Sequence, residues 1–320
     1  YVLFEALLRP VAVWDGWAIW LLKSKVFFID GTICPQTLAY VGAEYPLVIS
    51  LFGTFIYIML GEVDDTAVLL TSFAFYIFLA LAFFATLRKN FGTTYALFFT
   101  FLLVTVQNFV RHGGRLESGQ ADLPLGYFIF CSTMLFLAYY KTMSWKALFL
   151  LSIFLGITGS IKNEGIFFTI TIGVFIAYAI LKNKTYKHLF FLLFWILPLI
   201  DWYAYKTVHH LSAIAPRTFG FSLQNALNVI YSMGKEFLNI KTWNLLWICY
   251  FYLLIFWPRK VSVSLVLVNI VIISQLLLYI GIYFFIGEYS PESSLERLLV
   301  HIAPLALYVI AVRGKQVLSS

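Results

Sequence analysis

The sequence predicts an all-α polytopic membrane protein. Among its 320 residues, 62% are hydrophobic and only 12% are charged, whereas soluble domains carry about 25% charged residues. The mean hydropathy is +0.88, and several apolar runs reach the roughly 17–25 residues that cross a bilayer as a helix. These runs do not alternate as the ~10-residue strands of a membrane β-barrel do. We therefore expect a single transmembrane domain over residues 1–320.

The apolar runs predict about ten membrane-spanning helices. The first is a stub at residues 1–8. We interpret it as the outer end of a helix in a chain that lacks its true N-terminus, because Tyr1 stands where Met is expected. The others lie at residues 66–87, 94–110, 122–140, 145–161, 165–181, 188–205, 243–257, 261–283 and 298–312. Residues 45–60 are apolar but short, so their length does not decide whether they cross.

The distribution of charge predicts the topology. If residues 45–60 do not cross, the loops on one side hold eleven of the 22 basic residues and none of the 15 acids. Those residues are Arg88, Lys89, Lys141, Lys146, Lys182, Lys184, Lys187, Arg259, Lys260, Arg313 and Lys315. The positive-inside rule makes that side the cytoplasm. Residues 9–65 then form one large outer loop with interfacial helices, in a multi-pass protein of the cytoplasmic (inner) membrane.

Asp15 lies in this first outer loop, between Trp14 and Trp17 and just before an amphipathic run at residues 18–28. Asp is a preferred N-cap, so it has a structural interpretation at the start of that helix. A carboxylate at the lipid boundary can also act as a general base. Spacing alone leaves both alternatives open.

A second acid of the same loop is Glu44, which precedes Tyr45 and Pro46. Pro in the first turn of a helix, with an acid just before it, is ordinary helix-start chemistry. A second carboxylate on the outer surface that carries Asp15 also suits the binding of a substrate.

The Gly-rich outer loop at residues 111–122 carries two Arg, one His and two acids. Its candidate phosphate ligands are Arg111, His112 and Arg115. Arg favours this role because its guanidinium offers a bidentate fork, although a solvated loop is the alternative. Asp122, with a proline two residues later, fits a helix N-terminus.

Two further outer positions carry charges. Lys162 and Glu164 lie at a tight corner between two predicted spans, where they either pair with each other or point at a phosphate. Arg297 precedes the last predicted span, and His301 follows it by four residues. On a continuous helix these two side chains would share one face.

Cofactor, metal and nucleic-acid binding are not indicated. The cysteines Cys34, Cys131 and Cys249 are scattered, with no CxxC pair. His209 and His210 are adjacent, which is not the spacing of metal ligands. We expect no cofactor and no metal site, although dependence on a divalent metal is left open. Basic residues are spread along the chain without a soluble module to hold a duplex, so nucleic acid is not an expected partner.

Five motifs follow one another in the predicted outer loops. They are Trp14-Asp15-Gly16-Trp17, Glu44-Tyr45-Pro46, Gly119-Gln120-Ala121-Asp122, Lys162-Asn163-Glu164 and Glu296-Arg297-Leu298. In this order they resemble the GT-C superfamily of integral-membrane glycosyltransferases, in particular the branch of protein O-mannosyltransferases and aminoarabinose transferases. The essential acid of that family's first outer loop matches Asp15. The family's usual acid pair is replaced here by Asp15 and Gly16.

The resemblance implies an enzyme that moves a hexose or pentose from a polyprenyl phosphate to an acceptor hydroxyl at the outer membrane face, with inversion. Asp15 would be the general base, and Asp122 would orient the sugar or the surroundings of Asp15. The implied phosphate and substrate ligands are Lys162 and Arg297 first, then Arg111, His112 and Arg115, with Glu44, Glu164 and His301. The implied partners are the bilayer, the lipid-linked donor and a glycan, lipid or protein acceptor.

Two other functions remain as alternatives. A transporter or flippase of lipid-linked glycans would use the same basic residues, but the chain shows no internal repeat. A structural membrane subunit would use its polar loops to bind a partner. The enzyme interpretation predicts that Asp15 and Asp122 converge on one cavity that opens sideways to lipid.

Overall fold

The described residues fold into helices, which confirms the predicted all-α class. The structure is a computed structural model that describes residues 1–38, 42, 45–211, 220–256, 261–286 and 291–318. Its helices are Val2–Leu8, Asp15–Leu21, Leu22–Asp30, Pro35–Leu38, Val48–Leu60, Asp65–Phe91, Thr93–Val104, Gln107–Gly114, Asp122–Thr142, Trp145–Gly159, Asn163–Asn183, Tyr186–Leu192, Leu193–Val208, Leu223–Phe237, Ile240–Trp243, Leu246–Ile255, Val263–Phe285, Pro291–Val300 and Ala303–Leu318. Asp15–Leu21 is a π-helix, Tyr186–Leu192 is a 3₁₀-helix, and the others are α-helices.

Five helices in the described ranges are long and apolar enough to cross a membrane. They are Asp65–Phe91, Asp122–Thr142, Asn163–Asn183, Tyr186–Val208 and Val263–Phe285. Two bent pairs raise the number to seven if each pair is one span. Other predicted spans correspond to shorter helices. Trp145–Gly159 has 15 residues, which is about 22 Å at 1.5 Å per residue, and a bilayer core is about 30 Å thick.

The two bent pairs are predicted spans that break near their predicted outer ends. Thr93–Val104 and Gln107–Gly114 meet at 70°, and Ser294–Val300 and Ala303–Gln316 meet at 52°. The second break has a local cause. Pro304 has no N–H to bond the carbonyl of Val300, and its ring clashes with a helix that continues through this point.

The chain divides into two compact units. The first comprises Tyr1–Tyr76 and Arg111–Pro216, and the second comprises Ile77–Val110 and Arg217–Ser320. The single transmembrane domain expected over residues 1–320 stays a prediction.

Four helices form the apolar part of the first unit. Trp145–Gly159 contacts the other three, which are Asp122–Thr142, Asn163–Asn183 and Leu193–Val208. A glycine lets one of these contacts be close, because a methyl group built on Gly156 would lie 2.9 Å from the Phe194 carbonyl oxygen. The polar ends of these helices carry Asp122 and Lys162.

The first-loop helices of this unit pack on each other through polar atoms. Ser24 Oγ lies 2.8 Å from the Ser50 carbonyl oxygen, and Thr54 Oγ1 donates to the Ser24 carbonyl at 3.2 Å. Tyr57 donates to Asp65 Oδ1 at 2.7 Å, at the start of the next long helix. Burial, and then this hydrogen bond, raise the pKa of Tyr57 far above its ordinary value. Tyr57 therefore stays protonated and keeps donating to the carboxylate.

The second unit is built around Val263–Phe285. Buried polar groups follow this helix: Tyr250 donates to Asn269 Oδ1 at 3.0 Å, and Tyr283 shares a 2.8 Å hydrogen bond with Ser294. Polar side chains in an apolar interior are stable when they are hydrogen-bonded. These pairs therefore fix which helix faces meet.

Candidate functional site

Asp15 is the first residue of the π-helix and does not cap it. The N-cap is Trp14, which has helical backbone angles (φ −53°, ψ −53°) and no side-chain capping bond. The capping alternative therefore has no support in the structure, because the helix begins before the amphipathic run does. Asp15 is half-buried. π-Helical turns occur frequently at functional sites.

The turn that carries Asp15 packs against the loop that leads to Asp122. A methyl group built on Gly16 would lie 3.5 Å from the Ser118 carbonyl oxygen. One built on Gly119 would lie 3.9 Å from Gly16 Cα, and the φ of +84° at Gly119 favours glycine. The structure thus brings the Asp15 and Asp122 segments together at the level of the backbone.

The segment predicted as a Gly-rich loop is helical over residues 111–114, and its two arginines are paired with carboxylates. Arg111 Nη2 lies 2.6 Å from Glu117 Oε1, and Arg115 Nε lies 3.8 Å from Glu5 Oε2. The Arg115 guanidinium also lies 5.6 Å from the ring centre of Tyr1. These pairs hold the loop in place. A phosphate that binds either arginine must compete with its glutamate.

Asp122, Lys162 and Glu164 form a buried ion cluster. Lys162 Nζ lies 2.8 Å from Asp122 Oδ1 and 3.5 Å from Glu164 Oε1. The side chains of Lys162 and Asp122 are only 8% and 2% exposed. Each acid lies in the first turn of a helix, as predicted for Asp122. The positive end of the helix macrodipole stabilises an acid in that position.

Within this cluster, two carboxylates face one ammonium. The Coulomb attraction is stronger here than at the surface because water is largely excluded. Lys162 therefore orients Asp122 in the structure as it stands. His112 of the neighbouring loop is also buried.

Arg297 and His301 belong to the second unit. Arg297 is half-buried, whereas His301 is fully buried, with Nδ1 3.1 Å from the Tyr279 hydroxyl. The helix of Arg297 ends at Val300, so His301 lies in the break of the span. The prediction that one continuous helix carries both Arg297 and His301 is wrong, because the helix ends at Val300 and Pro304 prevents its continuation.

Glu44 lies outside the described residues, so its position in the site stays a prediction. Tyr45, the next residue, contacts a side chain that the sequence patterns did not single out. Lys23 is fully buried, and its Nζ donates to the Gly42 carbonyl at 2.8 Å. The ring centres of Trp20 and Tyr45 lie 5.6 Å and 5.9 Å from the same nitrogen. A lysine on an amphipathic interfacial helix normally reaches water. The residues around Lys23 in the sequence therefore gave no sign that it is buried.

A cavity of about 350 Å³ lies beside the Lys162 corner in the first unit. Its lining includes Pro46, Leu47, Val48, Ser160, Pro198 and Trp202. Ser160 is two residues before Lys162, and Pro46 directly follows Tyr45. The volume falls in the range of about 300–1,000 Å³ that is typical of ligand pockets. Its mainly apolar wall suits a ligand that has a hydrocarbon part.

Two comparisons with known proteins give a match. The family model described as dolichyl-phosphate-mannose-protein mannosyltransferase matches residues 44–202. The crystal structure of ArnT from Cupriavidus metallidurans in the apo state matches with a TM-score of 0.66 and 14% sequence identity, over 99% of this chain and 60% of that chain. The chain has the GT-C fold. A search of curated proteins gave no match.

The GT-C fold confirms the resemblance that the five motifs predicted. Together with the candidate spans, it makes the chain a multi-pass integral membrane protein. The family match includes the segments of Asp122 and Lys162, whereas Asp15 and Arg297 lie outside it. The chain spans about three fifths of the length of the ArnT chain.

In the part of the chain that the structure describes, no group of three or more His, Cys, Asp or Glu side chains is placed to hold a metal ion.

Proposed function

We propose that this GT-C protein is a glycosyltransferase that moves a hexosyl or pentosyl group from a polyprenyl phosphate to an acceptor hydroxyl. One observation carries the proposal: the turn of Asp15 packs against the loop that leads to the buried Asp122–Lys162 pair. The matching family description names a dolichyl-phosphate sugar, which supports a lipid-linked donor. The mainly apolar cavity beside Lys162 suits such a donor.

In the proposed reaction Asp15 takes the proton of the acceptor hydroxyl. The acceptor oxygen attacks the anomeric carbon, the bond from that carbon to the phosphate oxygen breaks with inversion, and polyprenyl phosphate leaves. General-base catalysis of this kind contributes about 10²–10⁴-fold. Asp122, held by Lys162, orients the sugar or the surroundings of Asp15.

The leaving phosphate gains negative charge, so fixed positive groups stabilise the transition state. The proposed phosphate ligands are Lys162 and Arg297, then Arg111, His112 and Arg115. Glu44, Glu164 and His301 are proposed as further substrate ligands. Lys162 is held by two acids in this structure, so binding phosphate requires it to exchange a partner.

The reaction is proposed to occur at the outer face of the cytoplasmic membrane. The support is the positive-inside rule: the loops on the other side hold eleven basic residues and no acid. The acceptor is a glycan, lipid or protein hydroxyl.

The proposal is tested with purified protein, a polyprenyl-phosphate sugar and a panel of acceptors, with release of polyprenyl phosphate as the readout. Asp15→Asn should lower kcat by about 10²–10⁴-fold. Asp30→Asn is the matched control, because Asp30 is an exposed acid at the end of the same helical segment. Transfer that survives Asp15→Asn at the wild-type rate would overturn the assignment of the base.

The transporter alternative gains support from the two bent spans, because the substrate sites of secondary transporters are typically formed by discontinuous helices. Reconstitution into vesicles separates the two functions. Wild-type protein that moves a lipid-linked sugar across the bilayer, but releases no polyprenyl phosphate with any acceptor, would favour the transporter.

A further inference from the structure

Lys23 lies on the same helical segment as Asp15. The π-helix Asp15–Leu21 continues directly into the α-helix Leu22–Asp30, so the two residues are eight positions apart without a break in the helix. Lys23 has no exposed surface at all. A segment that packs on Lys23 therefore lies directly against the helix that carries Asp15, the proposed base.

The group that packs on Lys23 is a hydrogen-bonded segment of the first loop. The Gly42 carbonyl accepts from Lys23 Nζ at 2.8 Å and from the Tyr45 N–H at 3.2 Å. The Tyr45 ring lies 5.3 Å from the Trp20 ring and 5.9 Å from the Lys23 ammonium. One carbonyl thus joins the ammonium on the helix to the backbone of the loop.

Gly42 itself lies close to the helix. A methyl group built there would lie 3.4 Å from Ile19 Cγ2 and from Tyr45 Cδ2, at a φ of +70°. The contacts from Ile19, Trp20 and Lys23 cover two turns of the helix. We call Gly42 and Tyr45–Leu47 together the Tyr45 segment.

The Tyr45 segment continues into the wall of the 350 Å³ cavity. Pro46 and Leu47 line that cavity. Leu47 also packs in a buried apolar cluster with Phe27, on the helix of Lys23, and with Trp202, which also lines the cavity. A displacement of the segment from the helix therefore moves part of the cavity wall.

The burial of an ammonium does not by itself stabilise a fold. Taking a charge out of water carries a large desolvation cost, and apolar side chains of similar volume often replace buried ions without loss. A methionine would fill the space beside the two aromatic rings and carry no such cost. A charge at Lys23 therefore fits a side chain that fixes the position of the neighbouring loop, rather than one that stabilises the fold.

We propose that Lys23 is a positioning residue, which holds the Tyr45 segment against the helix of Asp15 and so sets the substrate cavity. The substrate in this inference comes from the proposed glycosyl transfer and rests on it. The structural part, that Lys23 holds the Tyr45 segment, does not depend on that proposal. Lys23 acts through the Gly42 carbonyl and the Tyr45 ring, and it does not contact the reacting atoms.

The structural part is tested by hydrogen exchange, measured by mass spectrometry on the detergent-solubilised full chain. Lys23→Met should speed exchange in a peptide that covers the Tyr45 segment by about tenfold, as expected when one charge-assisted hydrogen bond is lost. Peptides within Val48–Leu60 should be unchanged. Lys25→Met is the matched control, because Lys25 lies on the same helix and pairs with Asp65 instead. Equal exchange in Lys23→Met and wild type would overturn the inference.

The functional part is tested by steady-state kinetics with a polyprenyl-phosphate sugar. Lys23→Met should raise KM by about tenfold and leave kcat within about threefold, because a displaced wall weakens ground-state and transition-state binding alike. Lys23→Arg keeps a charged donor, so its KM should fall between the values for Lys23→Met and wild type. Lys23→Arg also serves as the test variant if Lys23→Met does not fold. A KM that stays at the wild-type value would reduce Lys23 to a structural residue and overturn the proposal.

The two proposals fail in different ways. Wild-type protein that releases no polyprenyl phosphate contradicts the proposed function, and the exchange experiment then still decides whether Lys23 holds the Tyr45 segment. Wild-type protein that is active, with Lys23→Met equally active at low donor concentration, contradicts the Lys23 inference alone.

Discussion

Lys162 and Lys23 are two buried lysines of the same unit whose ammonium groups have different surroundings. Lys162 contacts two carboxylates, from Asp122 and Glu164. Lys23 donates to the Gly42 carbonyl and lies beside two aromatic rings. Removal of Lys162 takes away the ammonium that two carboxylates share, whereas removal of Lys23 leaves the Gly42 carbonyl with the Tyr45 N–H as a donor. The two sites should therefore respond differently to the same substitution.

The largest effect is expected at Lys162. Lys162→Met removes the ammonium that Asp122 and Glu164 both contact, and breaking a buried ion pair by removing one partner costs about 3–5 kcal/mol. The free energy of unfolding in detergent, measured by denaturant titration, checks this.

Lys146→Met is the control for that substitution. Lys146 is exposed, and surface substitutions usually stay within about ±0.5 kcal/mol. If Lys162→Met lowers the free energy of unfolding by no more than Lys146→Met does, the ion cluster does not stabilise the fold.

A smaller effect on stability is expected at Lys23, even though this lysine is the more deeply buried. Lys23→Met should destabilise by about 1.5 kcal/mol, the lower end of the scale for a hydrogen bond to a charged group. The Gly42 carbonyl keeps the N–H of Tyr45 as a donor at 3.2 Å, and the substitution removes a buried charge. The same denaturant titration provides the comparison. A loss as large as that of Lys162→Met would contradict the distinction between the two sites.

The smallest effect is expected at Lys25, which pairs with Asp65 at 2.7 Å. The two side chains are 34% and 36% exposed, so Lys25→Met should cost only about 0.2–1 kcal/mol. Salt screens such a pair, and the difference from wild type should shrink when ionic strength is raised. A difference that is large and independent of salt would show that this pair behaves like the buried one.

Local patterns predicted much of the helical framework. The apolar run after Asp122 predicted a helix that the structure has as Asp122–Thr142, and the corner at Lys162 lies between two helices as expected. Such features depend on residues close together in the chain. The failure at Arg297 and His301 is also local, because Pro304 could have marked the end of that helix.

The partners of the charged residues were much harder to predict. Lys162 was expected to pair with Glu164 or point at a phosphate, yet its shorter contact is with Asp122, 40 positions earlier. Lys23 sits in an amphipathic run where a lysine ordinarily faces water, and its burial depends on a loop 19 positions later. The packing of Gly16 near Ser118 has no local signal. Each of these contacts arises from how the helices pack.

The sequence by itself determined that this chain is a helical membrane protein, and it predicted inner loops that hold eleven of the 22 basic residues and no acid. Those properties follow from the hydrophobicity and charge of neighbouring residues, which the bilayer selects directly. Only the tertiary structure decided which charges meet. Buried charges must find partners that offset the loss of water, and contacts between distant segments supply those partners in this unit: Asp122 for Lys162, and the Gly42 carbonyl and Tyr45 ring for Lys23.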